Sequence, residues 1–347
     1  MILQTLITAI FFTYFMAWLT PRFGLVDSPG GRKDHQGDIP LAGGIAIFLT
    51  VAVCGWQLHI PLYTPQLILV ATIPFLVGVV DDRVHIHAGW RLVIHYGCGL
   101  VMATFGGVAI YNVGKLLTFG DISLLLLSAP LTALSVAGLC NAYNMIDGID
   151  GLAASLVAIP LLVLLALAGA AGHPMASVLV LLLIPLGVFL CLNLGPNKPW
   201  LPKVFLGDAG SVTLGFMLTA SLVYFSQGDQ AVIKPVTALW LVTVPLMDML
   251  ATMLRRVKRG LSPMEPDKSH LHHILMRMGL GPRQTLLLML GYAAGCAVLG
   301  LALETMPESF SLLVYHLVFF CHCGFVIKAQ RIGGAVRRRL GKPLLSE

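Results

Sequence analysis

The chain has 347 residues, 57% of them hydrophobic and only 11% charged, where soluble domains carry about 25% charged residues. A core of this size cannot hide so much apolar surface from water, so a soluble globule is excluded and lipid is the natural solvent. The net charge of +6 would suit nucleic acid in a soluble protein, but the placement of the charges argues for topology and against a nucleic-acid partner.

Eleven apolar runs approach the roughly 17–25 residues of a membrane span; they fall at about 1–19, 41–60, 65–80, 90–107, 122–140, 152–171, 174–192, 211–227, 232–254, 285–303 and 310–328. The first, Met1–Leu19, lacks a basic region before it and a small-residue cleavage site after it, and Arg22, Arg32 and Lys33 follow. It is expected to be an uncleaved span with an external N-terminus. Pro74 interrupts the short third run, and Pro130, Pro160, Pro185 and Pro245 sit inside others, where neighbouring helices can satisfy the freed carbonyls. Placing 20–40, 81–91, 141–151, 193–210, 255–284 and the tail 328–347 on one side collects 20 of the 22 Lys and Arg, leaving Lys115 and Lys234 opposite. The positive-inside rule makes the rich side cytoplasmic. The predicted fold is an all-α polytopic membrane protein of about eleven transmembrane helices, one integral domain over 1–347, with the N-terminus periplasmic and the C-terminus cytoplasmic.

The seven cysteines lie within or beside apolar runs, where a thiol behaves as a small hydrophobe, and their spacing suggests no disulfide framework. Cys321-His322-Cys323 reads as a buried helix face rather than a metal site. There is no repeat and no low-complexity linker, and the tail with Arg337, Arg338 and Arg339 reads as a basic segment on anionic lipid.

Polar groups gather in the loops assigned to the cytoplasm. Gly78-Val-Val-Asp81-Asp82-Arg83 closes the third run, and Asn141-Ala-Tyr-Asn144-Met-Ile-Asp147-Gly148-Ile-Asp150-Gly-Leu joins the fifth to the sixth. Phe205-Leu-Gly-Asp208-Ala-Gly-Ser211 opens the eighth, and Ser262-Pro-Met-Glu-Pro-Asp267-Lys-Ser-His270-Leu-His272-His273 lies in the longest loop. Asp81, Asp82, Asp147, Asp150 and Asp208 at one surface repel each other, so something positive must offset them. Hard oxygen donors suit Mg²⁺, or Mn²⁺, rather than zinc. Mg²⁺ takes one or two carboxylates and shares its remaining shell with water and substrate phosphates, which leaves surplus acids for base or hydrogen-bonding roles. Nearby Arg and His can hold further phosphate charge. Gly148, Gly151, Gly207 and Gly210 allow backbone to approach a ligand closely. Asn141, Asn144, Asp147 and Asp150, spaced by three, fit one side of a tight helical turn.

Each element also has a bland reading. Asp81-Asp82 reads as juxtamembrane charge, Asp-Gly-Ile-Asp-Gly as two turns, and Gly-Asp-Ala-Gly-Ser as a helix cap in which Asp208 or Ser211 faces free amides. The histidines fit a solvated helix on which His270 and His273 share a face and His272 points away, without the His-Glu-x-x-His form of a zinc site. Asp248, inside the ninth run, is a functional candidate by default, or else a hydrogen-bonded acid near the cytoplasmic mouth. Jointly, on one face of a membrane protein, the bland readings weaken.

Taken in order, the Asp-Asp, Asn-x-x-Asn-x-x-Asp-Gly-x-Asp-Gly and Gly-Asp-x-Gly-Ser elements resemble those of the polyprenyl-phosphate N-acetylhexosamine-1-phosphate transferase family, and the resemblance covers nearly the whole chain. The first loop, Val26-Asp27-Ser28-Pro29…Arg32-Lys33-Asp34-His35…Pro40…Gly43-Gly44, also matches. Pro245-Leu-Met-Asp248 and Ser262 through His273 are most similar to the WecA-type branch, whose members use N-acetylglucosamine 1-phosphate. The peptidoglycan branch carries lysines after its Asp-Asp pair, where this chain reads Arg83-Val-His85-Ile-His87-Ala-Gly-Trp-Arg91. That departure argues against UDP-MurNAc-pentapeptide as donor.

The resemblance implies a reaction in which a polyprenyl-phosphate oxygen attacks the β-phosphorus of a UDP-sugar and UMP leaves. The implied partners are UDP-GlcNAc, or UDP-FucNAc or UDP-QuiNAc in its place, and undecaprenyl phosphate, in a bacterial inner membrane at the first membrane step of O-antigen or common-antigen type synthesis. A homodimer is admitted. The resemblance makes Asp208 the Mg²⁺ ligand, with Asn144, and has Asp81 and Asp82 position the lipid phosphate in preference to deprotonating it. It adds Asp147 to the catalytic acids and places Asp150 and Gly148 at the uracil. Asn141 and Arg83 join the substrate-binding residues, Arg32, Lys33 and His35 grip a phosphate, and His270, His272 and His273 face the sugar or its phosphate with Asp267. A transporter is the main reading of another class, but transporters put ionisable groups near the bilayer midplane and these acids cluster at span ends. A CDP-alcohol phosphotransferase is disfavoured because Asp150-Gly-Leu-Ala-Ala-Ser lacks the arginine of that signature.

Overall fold

The computed structural model describes residues 1–28, 37–59, 65–116, 120–198, 200–264 and 270–339. Among these, each of the eleven apolar runs carries a helix, and one run carries two. Seven helical segments are long and apolar enough to cross a bilayer: those containing α1 (Ile2–Leu19), α5 (Ser128–Ile146), α6 (Leu152–Ala170), α7 (Ala176–Asn193), α8 (Gly207–Ser226), α12 (Pro282–Ala302) and α13 (Glu308–Arg339). The number rises to eight if α9 (Pro235–Leu241) and α10 (Thr243–Lys258) form one broken span. The protein is therefore a helical, multi-pass membrane protein. Three further helices fill the remaining runs. At 15 residues, α2 (Gly43–Gln57) reaches only about 22 Å. The helix α3 (Pro65–Val84) ends in Asp81, Asp82 and Arg83, and α4 (Ala88–Thr104) carries Arg91.

Helix ends depart from the ends of the apolar runs in a consistent way. α3 continues through Asp82, α5 runs on to Ile146 and α8 starts at Gly207, so residues expected in loops are helical. Lipid contact governs the run, whereas the helix continues wherever neighbouring helices accept its polar side chains. The ninth run breaks instead of continuing: α9 and α10 meet at 76° around Val242. Pro245 has no amide to offer the Leu241 carbonyl, which removes the bond that would have carried the helix across.

The core forms around α8, buried along nearly its whole length. Its hydroxyls satisfy themselves within the helix, Thr219 donating to the Gly215 carbonyl at 2.7 Å and Ser221 to that of Met217 at 2.8 Å; this is how polar residues survive away from water. α3 packs against it backbone to backbone. A Cβ added at Gly78 would lie 2.4 Å from the Ala209 Cα, the close approach that small residues give membrane helices. Before α2, the two-residue strands β1 (Val26–Asp27) and β2 (Ile39–Pro40) pair antiparallel, and the Phe205 amide donates to the Pro40 carbonyl at 2.9 Å. That contact ties the first loop to the segment entering α8. On α13, His322 and Cys323 are buried and Cys321 is exposed.

Candidate active site

At one end of the bundle α3, α4, α5 and α8 bring their polar ends together. Asp82, in the last turn of α3, accepts from the amides of Asp208 and Ala209 at 2.7 and 3.2 Å. These are orphan donors at the start of α8, so the cap of that helix comes from Asp82 on another helix, not from Asp208 or Ser211 as the local reading expects. Asp81 is 4% exposed. It accepts from the Ile86 amide at 2.6 Å and from the Arg91 guanidinium, so it is not ordinary juxtamembrane charge. The same Arg91 nitrogen reaches Asp208 Oδ2 at 3.5 Å.

Asn144, near the end of α5, donates to Asp208 Oδ1 at 2.7 Å and to Ser211 Oγ at 3.1 Å. The expected tight turn through Asn141, Asn144, Asp147 and Asp150 is only half helical. Both asparagines belong to α5, whereas Asp147 follows its end with φ −75° and ψ 61°. Asn141 donates to the Ala137 carbonyl at 2.7 Å and lies 3.4 Å from His95 Nδ1. Asp147 is pushed up to about 8, first by burial and then by the charges of Asp208, Asp82 and Asp150. Asp150 is exposed and paired with Lys203. Asp208 and Asn144 suit a divalent cation by donor chemistry, a carboxylate and a side-chain carbonyl oxygen being hard donors that leave the remaining positions to water and phosphate; the contact between them here is made by the Asn144 amide nitrogen. Among the described residues no group of three or more His, Cys, Asp or Glu is placed to hold a metal ion.

The histidine loop does not follow the bland reading of a solvated helix on which His272 points away. The short helix α11 (Leu271–Arg277) buries Leu271, Ile274 and Leu275, which turns His272 inward to 0% exposure. Among the described residues neither ring nitrogen of His272 has a hydrogen-bond partner, and burial, with His273 beside it, holds the ring down to about 3, uncharged. The ring stands on Gly148: a Cβ there would fall 2.1 Å from His272 Nε2. The close approach expected at Gly148 is therefore made by a protein side chain. The rings of His272 and His273 are 4.0 Å apart, and those of His270 and His272 are 6.0 Å apart.

Asp81, Asp82, Asn144 and Asp208 thus meet directly, and Gly148 meets His272. Arg83 is exposed at the end of α3. Arg32, Lys33, His35 and Asp267 lie outside the described residues. Sequence reasoning missed Arg91, His95 and Lys203. Arg91 carried a usable signal, because it is the one Lys or Arg in α4 and stands ten residues after Asp81.

Residues 64–226 match the family model described as glycosyl transferase family 4. Over 338 residues the chain is 33% identical to the undecaprenyl-phosphate alpha-N-acetylglucosaminyl 1-phosphate transferase of Escherichia coli K12, covering 94% of this chain and 90% of that protein. It is 34% identical to the protein of that name from Yersinia pestis, over 91% of this chain and 88% of the relative. Identity to the Pasteurella multocida protein of that name is also 34%, over 97% and 96%. With three of the four sequence elements inside the family match and relatives at 33–34% identity over nearly the whole chain, the chain belongs to the polyprenyl-phosphate N-acetylhexosamine-1-phosphate transferase family, glycosyl transferase family 4.

Proposed function

We propose that this protein transfers N-acetylglucosamine 1-phosphate from UDP-GlcNAc to undecaprenyl phosphate, at the cytoplasmic face of a bacterial inner membrane. It spans that membrane eleven times and makes the first lipid-linked intermediate of an O-antigen or common-antigen type polysaccharide. The observation that carries the reading is the gathering of Asp81, Asp82 and Asn144 about Asp208 and the start of α8 at one end of the bundle, with Arg91 reaching Asp81 and Asp208. Relatives bearing the name of that transferase, matched over most of the chain, support the choice of sugar.

The acceptor phosphate oxygen bonds to the β-phosphorus of the donor as the bond to UMP breaks, and the sugar passes over with its phosphate. Such transfers depend on positioning and charge neutralisation. A phosphate monoester has its second pKa at about 6, so the acceptor is mostly ionised at neutral pH and positioning matters more than proton removal. Asp208 and Asn144 would hold a Mg²⁺, which would supply charge neutralisation at the donor diphosphate. Arg91 adds a second positive centre and keeps Asp81 in place. Asp82, with both oxygens on α8 amides, fixes where Asp208 stands. Asp81 and Asp82 position the acceptor phosphate, Asp147 is a further acid beside Asp208, and His272 with its neighbours borders the donor over Gly148.

Purified protein, undecaprenyl phosphate and a panel of UDP-sugars test this, with UMP release and lipid product measured. UDP-GlcNAc should be the best donor, Mg²⁺ or Mn²⁺ should be required and EDTA should abolish turnover. Preference for UDP-FucNAc or UDP-QuiNAc would replace the sugar while leaving the reaction. Turnover of UDP-MurNAc-pentapeptide would remove the branch assignment, and binding without turnover would favour a transporter.

A further inference from the structure

Asp248 on α10 is 1% exposed, six residues beyond the break at Val242, and the reaction scheme gives it no task. Both of its oxygens serve one short stretch of chain. Oδ2 meets His270 Nδ1 at 2.9 Å, and Oδ1 accepts from the Leu271 amide at 2.7 Å, at the first residue of α11. Capping alone does not call for a buried charge, since Ser or Asn caps a helix as well and desolvating a carboxylate is costly. The charge matches the histidine. A carboxylate at Nδ1 places the proton there, fixes the ring plane and leaves Nε2 as the nitrogen open to a ligand.

α11 has seven residues, too few to be stable alone, so its position depends on its anchors. Leu271, Ile274 and Leu275 supply the apolar ones and Asp248 supplies the polar one. From that seat His272 reaches Gly148, the residue after Asp147. We infer that Asp248 is a positioning residue for the nucleotide-sugar: it locks His270 in one tautomer and seats α11 so that the three histidines border the sugar phosphate over Gly148. This rests on the transferase reading above.

The test uses full-length protein in detergent. Asp248→Asn keeps a carbonyl oxygen for the Leu271 amide but loses the anion facing His270. Its kcat/KM for UDP-GlcNAc should fall by about tenfold or more, the scale seen when an orienting partner is removed. The KM for undecaprenyl phosphate and the melting temperature should stay near wild type. In a His270→Gln background the same substitution should add less than about a further twofold, because contacting residues acting as one unit are not additive. Wild-type kinetics for Asp248→Asn would overturn the inference, as would full multiplication of the two losses or an equal rise in acceptor KM. If Asp248→Asn does not fold, ¹⁵N-histidine spectra of the wild type decide, with His270→Gln giving the assignment. A proton fixed on Nδ1 supports the lock, and one on Nε2, or exchange between the two, overturns it. A wild type that releases no UMP would defeat the transferase reading, and the spectra would still judge the lock separately.

Discussion

Arg91 is the guanidinium that reaches both Asp81 and Asp208, in a cluster where Asp82 and Asp147 stand close enough to add their charge. Arg91→Met leaves the buried Asp81 carboxylate without its guanidinium, and breaking a buried pair in this way costs about 3–5 kcal/mol. The melting temperature in detergent should drop accordingly, and adding Asp81→Asn should recover much of the loss. If Arg91→Met melts with the wild type, the pair is not holding this end of the bundle. Asp147 gives a pH signature. Its pKa is raised to about 8 in the fold, against about 3.9 in an unfolded chain. Its stabilising contribution is therefore complete below the lower value and is lost as pH rises through the upper one. In EDTA, wild-type stability should decline between about pH 4 and 8 more steeply than that of Asp147→Asn; parallel declines would show that Asp147 titrates normally. The acids themselves were legible in the sequence because polar residues stand out at the ends of apolar runs. Their partners were not. Asp82 meets amides 126 and 127 residues away, and no local pattern announces such a pairing.

The contact of α3 with α8 sets the distance between Asp82 and the α8 amides. Gly78→Ala puts a methyl 2.4 Å from the Ala209 Cα, and neither backbone can yield without moving Asp82. Overpacking of this kind costs about 1–3 kcal/mol, and turnover should fall with stability. Gly138→Ala on α5 is the control. Nothing lies within 4 Å of its added Cβ, so it should be neutral or slightly stabilising. Equal behaviour of the two variants would mean that the helices do not touch at Gly78. The run-by-run sequence reading located a helix in every apolar stretch, because hydrophobicity is the signal lipid imposes. It misplaced the ends of α3, α5 and α8, where polar residues continue the helix into protein contacts that hydropathy does not see. Pro245 was visible inside the ninth run, but the 76° bend depends on how α9 and α10 pack.

At the scale of the molecule, the 20-to-2 division of Lys and Arg predicts which side each connection faces. In a cysteine-free background Ser262→Cys should react only with reagents that enter the cell, and Asp229→Cys should react from outside; both positions are exposed. Labelling of Ser262→Cys in intact cells by an impermeant reagent would reverse the orientation. The burial of α8 has a further consequence, in the order of synthesis. The ribosome makes α8 after the seven helices α1 to α7, yet α2, α3 and α5 pack against it, and the α8 amides are what the Asp82 carboxylate meets. Until residue 226 has been added, those earlier helices lie in the bilayer without their central neighbour, and Asp82 has no amides to bind. Asp82 and the amides it meets are translated more than a hundred residues apart, so the site is completed late, and a nascent chain halted before Gly207 carries most of the acids and the Asp81–Arg91 pair without the start of α8 that they gather around.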